Sequence, residues 1–358
     1  DEDFDIDTRL EGVLVELNLK KLKIKALYGS LPDENRPVYN DLTYGIDLEK
    51  KLFDSFSFGL TAVSFRHIHS IGNLYNKFDV LGSRISLNSD VFDFYSEYAQ
   101  LKETNNEIDP AKEGFAGYSN LNVYVGNFTF SGSYKKYEDF NYRLNDLPTV
   151  NYSSEPLAET IKIGTEEEGI MGEISFVPNF DNELIVNYAE AWNKDFTIRQ
   201  NDAYAEFRHD FANSSLIAEH SHLERIDNNS NEWEQISKPA LSFDFMLNEI
   251  PIYLKTEYEI HRKDHSNSES KYYEPLFQVD VEINNIGISL IAEYQYNSWD
   301  NLLKNPLWLG AEFSFDVLEN TDLKLFAGKE KGGKVCRNGT CRYQSRFEGI
   351  RMELNTSF

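Results

Sequence analysis

The stretch Ile350-Arg351-Met352-Glu353-Leu354-Asn355-Thr356-Ser357-Phe358 alternates without a break. Ile350, Met352, Leu354, Thr356 and Phe358 fall on one side, and Arg351, Glu353, Asn355 and Ser357 on the other. Successive side chains of an extended chain point to opposite faces, so a period of two predicts a strand with one apolar and one charged face. The same period recurs upstream. Ile252, Leu254, Thr256, Tyr258 and Ile260 oppose Lys255, Glu257, Glu259 and His261. Leu307, Leu309, Ala311, Phe313, Phe315 and Val317 oppose Gly310, Glu312, Ser314 and Asp316. Each run is about ten residues long, the length of a tilted strand crossing a bilayer rather than the five or six residues usual in soluble sheets.

Extended over 358 residues, this pattern predicts about nineteen antiparallel strands and no helix of comparable quality. The expected fold is all-β, a transmembrane up-and-down β-barrel occupying residues 1–358 as a single domain. Composition agrees: 41% of residues are hydrophobic and 14% aromatic, yet no run of eighteen apolar residues exists, which excludes membrane-spanning helices. A barrel needs apolar residues only at alternate positions. The net charge of -25 repels phosphate backbones and argues against nucleic acid as a partner.

The connections alternate in length. Long polar segments (30–40, 67–77, 103–113, 139–167, 194–200, 227–231, 262–270, 297–304 and 329–346) are separated by tight turns such as Lys20-Lys21, Gly126 and Asn248-Glu249. Outer-membrane barrels have short periplasmic turns and longer extracellular loops, which produces this rhythm. With Phe358 periplasmic, the long loops face outward, and the first strand near Arg9 begins outside. An even-stranded barrel then requires further strands upstream of Asp1, giving twenty or more in all; an odd count, or a strand merged or split in this reading, is the alternative.

The residues Gly332-Gly333-Lys334-Val335-Cys336-Arg337-Asn338-Gly339-Thr340-Cys341-Arg342, leading into the terminal strand, resemble the ending of an uncharacterised family of porin-like outer-membrane proteins of Bacteroidota type. The resemblance is specific over about the last thirty residues. It implies fold and location in the outer membrane, and carries no assigned activity. Ile350, Met352, Leu354 and Phe358 match the terminal pattern that the barrel assembly machinery reads in outer-membrane proteins.

No nucleophile constellation, phosphate loop or dinucleotide fingerprint is present, so neither an enzyme nor a cofactor is expected. The charged face carries the candidate functional residues: Lys23, Lys25, Glu173, Asp244, Lys255, Glu257, Glu259, Asp280, Glu282, Glu293, Glu312, Asp316 and Arg351. Two readings stay open, a lumen wall with a preference for cations and a solvated interior closed by its own ion pairs. Cys336 and Cys341 flank the turn signal Asn338-Gly339 and suit a disulfide across an outer hairpin. His220 and His222 share a strand face without an evident third metal ligand, and Glu166-Glu167-Glu168 is either a cation site or a solvated charge run. The expected function is passage of small hydrophilic solutes or ions, with a structural barrel that docks other outer-membrane proteins as the alternative. The expected partners are membrane lipid and the assembly machinery.

Overall fold

The computed structural model describes residues 11–30, 42–68, 75–105, 111–140, 166–265, 268–283, 286–297, 306–318, 321–337 and 340–356. Its strands are β1 (Glu11–Leu19), β2 (Leu22–Ser30), β3 (Leu42–Phe53), β4 (Phe56–Ile68), β5 (Tyr75–Asn88), β6 (Phe92–Asn105), β7 (Lys112–Val125), β8 (Phe128–Glu138), β9 (Glu167–Asn179), β10 (Asn182–Asn193), β11 (Ile198–Phe211), β12 (Ser214–Asp227), β13 (Glu232–Leu247), β14 (Ile250–His265), β15 (Ser268–Ile283), β16 (Ile286–Tyr294), β17 (Leu307–Leu318), β18 (Thr321–Glu330), β19 (Gly333–Arg337), β20 (Thr340–Gln344) and β21 (Phe347–Thr356). Nineteen belong to one sheet, as the alternation predicts; β19 and β20 form a separate hairpin.

The chain divides into two compact units, residues 3–174 with 187–201, and residues 1–2 and 175–186 with 202–358. In the first, β1 to β8 form an unbroken antiparallel meander. In the second, β12 to β18 do the same, and β18 then pairs with β21. Within these meanders every pairing joins sequence neighbours except the last, which the β19–β20 hairpin interrupts. Tight turns close one end of the meanders. At Asn248 and Glu249 both φ angles are positive, 48° and 70°, the geometry that lets a two-residue hairpin match the twist of its strands.

Burial is inverted relative to a soluble sheet. Among the described residues, seventeen buried side chains are polar or charged and eleven apolar, while dozens of large hydrophobics lie exposed. Ile350, Met352 and Leu354 are 83%, 70% and 62% exposed on the same face of β21. An apolar surface this extensive is not left in water, and its alternation with a covered polar face is the pattern of strands that cross a membrane.

The apolar face has limits along the strand. On β14 and β15 the register pairs Ile252 with Val281, Leu254 with Val279, Thr256 with Phe277 and Ile260 with Tyr273, and then Arg262 with Lys271. From Ile252 to Ile260 the band is roughly 26 Å along the strand at about 3.3 Å per residue, which at a tilt near 40° spans about 20 Å of height, somewhat less than the ~25 Å apolar belt of such barrels. Both strands then run on past it. The segment 262–270, expected from sequence as a long loop, is therefore mostly strand, with only residues 266–267 between His265 and Ser268. Beyond the belt both faces are charged or polar, so the period-two signal vanishes although the pairing continues.

Glycines stand opposite one another across three strands, Gly310 on β17, Gly328 on β18 and Gly349 on β21. Gly328 and Gly349 have φ of 138° and 141°, where a Cβ is strained. A Cβ on Gly310 would lie 2.6 Å from the ring of Phe326, which is itself only 2% exposed.

Candidate functional site

The functional candidate is the polar face. In the second unit, register puts Asp244, Lys255, Glu257, Asp280, Glu282, Glu293, Glu312 and Arg351 on it. Lys255 stands opposite Ser242, Tyr253 between Asp244 and Asp280, Ser289 between Asp280 and Glu312, and Phe326 between Glu312 and Arg351. Glu259, Asp280 and Glu312 are buried, Lys255, Glu257, Glu293 and Arg351 are intermediate, and Asp244 and Glu282 are exposed near the turn end. Asp316 pairs with Asp322 by backbone register; its side chain lies outside the described set. In the first unit Lys23 and Lys25 stand on the face that carries Glu16, and Lys23 pairs with Glu16 at 3.1 Å. Glu173 accepts a hydrogen bond from Asn187 at 3.1 Å.

These charges do not stand alone. The Lys238 ammonium lies 3.5 Å from Glu257 and 3.0 Å from Glu259. Lys255 meets Glu257 at 3.1 Å. The Tyr272 hydroxyl donates to Glu259 at 3.1 Å and lies 2.5 Å from His261 Nδ1, whose ring reaches Glu234 through Nε2 at 2.7 Å. The result is a continuous chain of ion pairs and hydrogen bonds over β13, β14 and β15. Removing a carboxylate from water is costly unless partners satisfy it, and Glu234, Glu257 and Glu259 each have them.

A second knot ties a loop to this face. Lys331, just past the end of β18, contacts Glu274 on β15 and sits 3.5 Å from Glu293 on β16. Its ammonium lies 6.0 Å above the ring of Trp308. Burial works to lower its pKa, but Glu274 and Glu293 outweigh burial and hold it above the ordinary lysine value. Gln295 donates to Glu274 at 3.1 Å. Nearby, Arg351 binds Glu330 at 3.0 Å and Glu353 at 2.7 Å, with Phe326 and Phe347 5.2 and 5.1 Å from its guanidinium carbon.

The first unit is organised differently. Arg84 on β5 binds both oxygens of Asp47 on β3, at 2.6 and 2.9 Å, and also Glu49 and Thr61. Toward the loop end the same face turns apolar: Phe65, Leu101 and Phe140 form a buried cluster with Val63, Phe78, Val80, Ala99 and Ala116 around it. Phe140 follows β8, so the chain leaving that strand turns onto this face. Lys135 and Glu167 form an ion pair with no exposed surface on either side chain. Lys194, in the β10–β11 turn, binds Glu138 and Glu166 at 3.0 and 3.1 Å, and these carboxylates hold its pKa above the usual lysine value.

Sequence reasoning singles out about half of this network. It misses Lys238, Glu274, Tyr272 and the Arg84 clamp on charged faces, where only the register reveals which of many such residues meet, and Lys331 in the segment beyond β18. Within the triplet Glu166-Glu167-Glu168, the three side chains go to separate lysine partners, and no cluster of three or more His, Cys, Asp or Glu fit for a metal occurs among the described residues. His220 and His222 lie on the opposite, apolar-belt face of β12, near Ser237 and Gln235. Cys336 and Cys341 stand directly opposite in the β19–β20 register; their side chains lie outside the described set, as does all of Phe358.

Solved structures share this fold. The copper transporter OprC is 10% identical over 97% of this chain and 71% of its own, with a TM-score of 0.53. A mutant of the ferric enterobactin receptor PfeA from Pseudomonas aeruginosa is 8% identical over 96% of this chain and 68% of its own, with a TM-score of 0.51. At such identities the likeness is one of fold, that of outer-membrane β-barrels. No match was found among curated proteins. A family model described as a family of unknown function, DUF6029, matches residues 1–197. That match spans more than half of the sequence, and the chain therefore belongs to the DUF6029 family.

Proposed function

We propose that this chain is an outer-membrane barrel that passes small hydrophilic solutes or ions along a polar lumen. The observation that carries this reading is the chain of ion pairs over β13 to β15 on the covered face, opposite an exposed apolar belt. A purely structural barrel has no need of so many carboxylates on its inner wall, each of which must be compensated. Acids outnumber bases on this face, so small cations are the favoured cargo.

In this arrangement the long connections face the cell exterior, the C-terminus is periplasmic, and Ile350, Met352, Leu354 and Phe358 present the terminal strand to the assembly machinery. Planar-bilayer recordings of the purified full-length protein test the proposal. Discrete conductance with cations preferred over anions is the expected result, and silent bilayers with correctly folded protein would overturn it.

A second reading is favoured by one sector. On β8 to β11, Lys135, Glu167 and Gln200 have no exposed side-chain surface, so this stretch offers no wetted wall. A filled barrel whose long loops dock other outer-membrane proteins fits that burial, and a stoichiometric complex recovered after mild extraction, with no conductance, is its signature.

A further inference from the structure

We infer that Arg262 and Lys271 form a binding site for the phosphate of an anionic lipid head group, on the outward face of β14 and β15. The inference rests on the reading of the apolar face as a lipid belt. Arg262 and Lys271 are direct cross-strand partners, so their side chains leave the sheet side by side on one face. They occupy the first register position beyond the belt on that face, directly after Ile260 and Tyr273. Head groups lie at that height, where long basic side chains lay their stems along apolar surface and hold their charge at the interface.

The belt below them ends in tyrosines. The Tyr258 and Tyr273 rings are 6.1 Å apart, and those of Tyr273 and Tyr296 are 6.3 Å apart. Tyr258 and Tyr296 are about half exposed. Tyrosine concentrates at the boundary between hydrocarbon and head groups. The Lys271 ammonium lies 4.7 Å over the Tyr273 ring, which fixes its height against this girdle.

The charge itself points to a ligand. The chain carries 60 acids against 35 bases, and across the polar face of this unit nearly every base meets a carboxylate. Arg262 and Lys271 have no carboxylate partner among the described residues, and Arg262 Nε is buried without a hydrogen-bond partner. Asp264, two residues along on the same face, leaves its Oδ1 unpartnered as well, and the residue opposite Arg262 on β13 is the neutral Gln235. A guanidinium beside an ammonium, both facing the membrane, matches the geometry and charge of a lipid phosphate.

The test uses the full-length protein in nanodiscs of phosphatidylcholine with an equal share of phosphatidylglycerol, read by native mass spectrometry of retained lipid. Wild-type protein should retain phosphatidylglycerol over phosphatidylcholine by on the order of tenfold, given about 1 kcal/mol per basic residue near an anionic surface. R262Q/K271Q should fall to near parity, whereas R262K/K271R should keep the preference. Should the double neutral variant fail to fold, K271Q alone should show a reduced preference. An unchanged preference in a folded neutral variant overturns the proposal. Inorganic phosphate or an acidic peptide that competes phosphatidylglycerol off the protein more strongly than excess lipid does would overturn the lipid assignment. Conductance of R262Q/K271Q should equal that of wild type, since neither residue is on the polar face. Loss of lipid preference is thereby separable from failure of the transport reading.

Discussion

The polar faces of the two units solve one problem in opposite ways. On β3 to β9 the buried charges sit in small, separate groups. Arg84 holds Asp47 and Glu49, Lys135 pairs with Glu167, and the covered area between them and the loop end is filled by Phe65, Leu101 and Phe140. On β13 to β16 the charges link into longer chains. Lys238 serves two carboxylates and so does Lys331, while Glu257 and Glu259 each have a further partner. A small, fully buried group is brittle, because removing one member leaves another in a low-dielectric environment. In a linked chain the loss is spread over the remaining partners, the arrangement the proposed passage of cations would call on.

That contrast is open to attack. The largest effect is expected at Lys135: K135M leaves Glu167 buried and should destabilise the folded barrel by about 3–5 kcal/mol, read from urea unfolding in lipid vesicles. Leu101→Ala should cost about 2–4 kcal/mol by opening a cavity in the apolar cluster, in the same assay. Arg84→Met should cost about 2–3 kcal/mol, since Asp47 loses two charge-assisted hydrogen bonds. The Lys238→Met change should cost only about 1 kcal/mol, because Lys255 and Tyr272 remain on the two carboxylates. If K238M proves as damaging as K135M, the distinction between small separate groups and linked chains of charge fails. Smallest of all, C336S/C341S should change global stability by less than about 1 kcal/mol, since β19 and β20 lie outside the main sheet; a disulfide between them means that thiol titration of unreduced, unfolded protein finds no free thiol.

The fold is legible in the sequence because the belt imposes strict alternation, and Ile252 to Ile260 announces its strand without help from any neighbour. Turns are legible where backbone geometry demands particular residues, as at Asn248-Glu249. Two kinds of feature are not. Strand beyond the belt, such as Arg262 to His265, carries polar residues on both faces and so mimics a loop. The apolar cluster of Phe65 and Leu101 falls on the face expected to be charged, where it reads as a lapse in the pattern rather than as a packed core. The candidate site lies between these cases. Glu257, Glu259 and Glu293 are identifiable as covered acids, but their pairing with Lys238 and Lys331 depends on the register across strands that are far apart in sequence.

The glycines at 310, 328 and 349 bear on how the last strands come together. With only hydrogen on Gly310, the Phe326 ring can approach β17 closely. A slip of one residue would bring Leu309 or Ala311 to that place and reverse the facing of every side chain beyond it. The ring then has nowhere to lie, and the Arg351 guanidinium loses its seat between Phe326 and Phe347. The fit of Phe326 over Gly310 thus ties the register of β17, β18 and β21 to one steric match, so that a single side chain penalises misalignment of three strands.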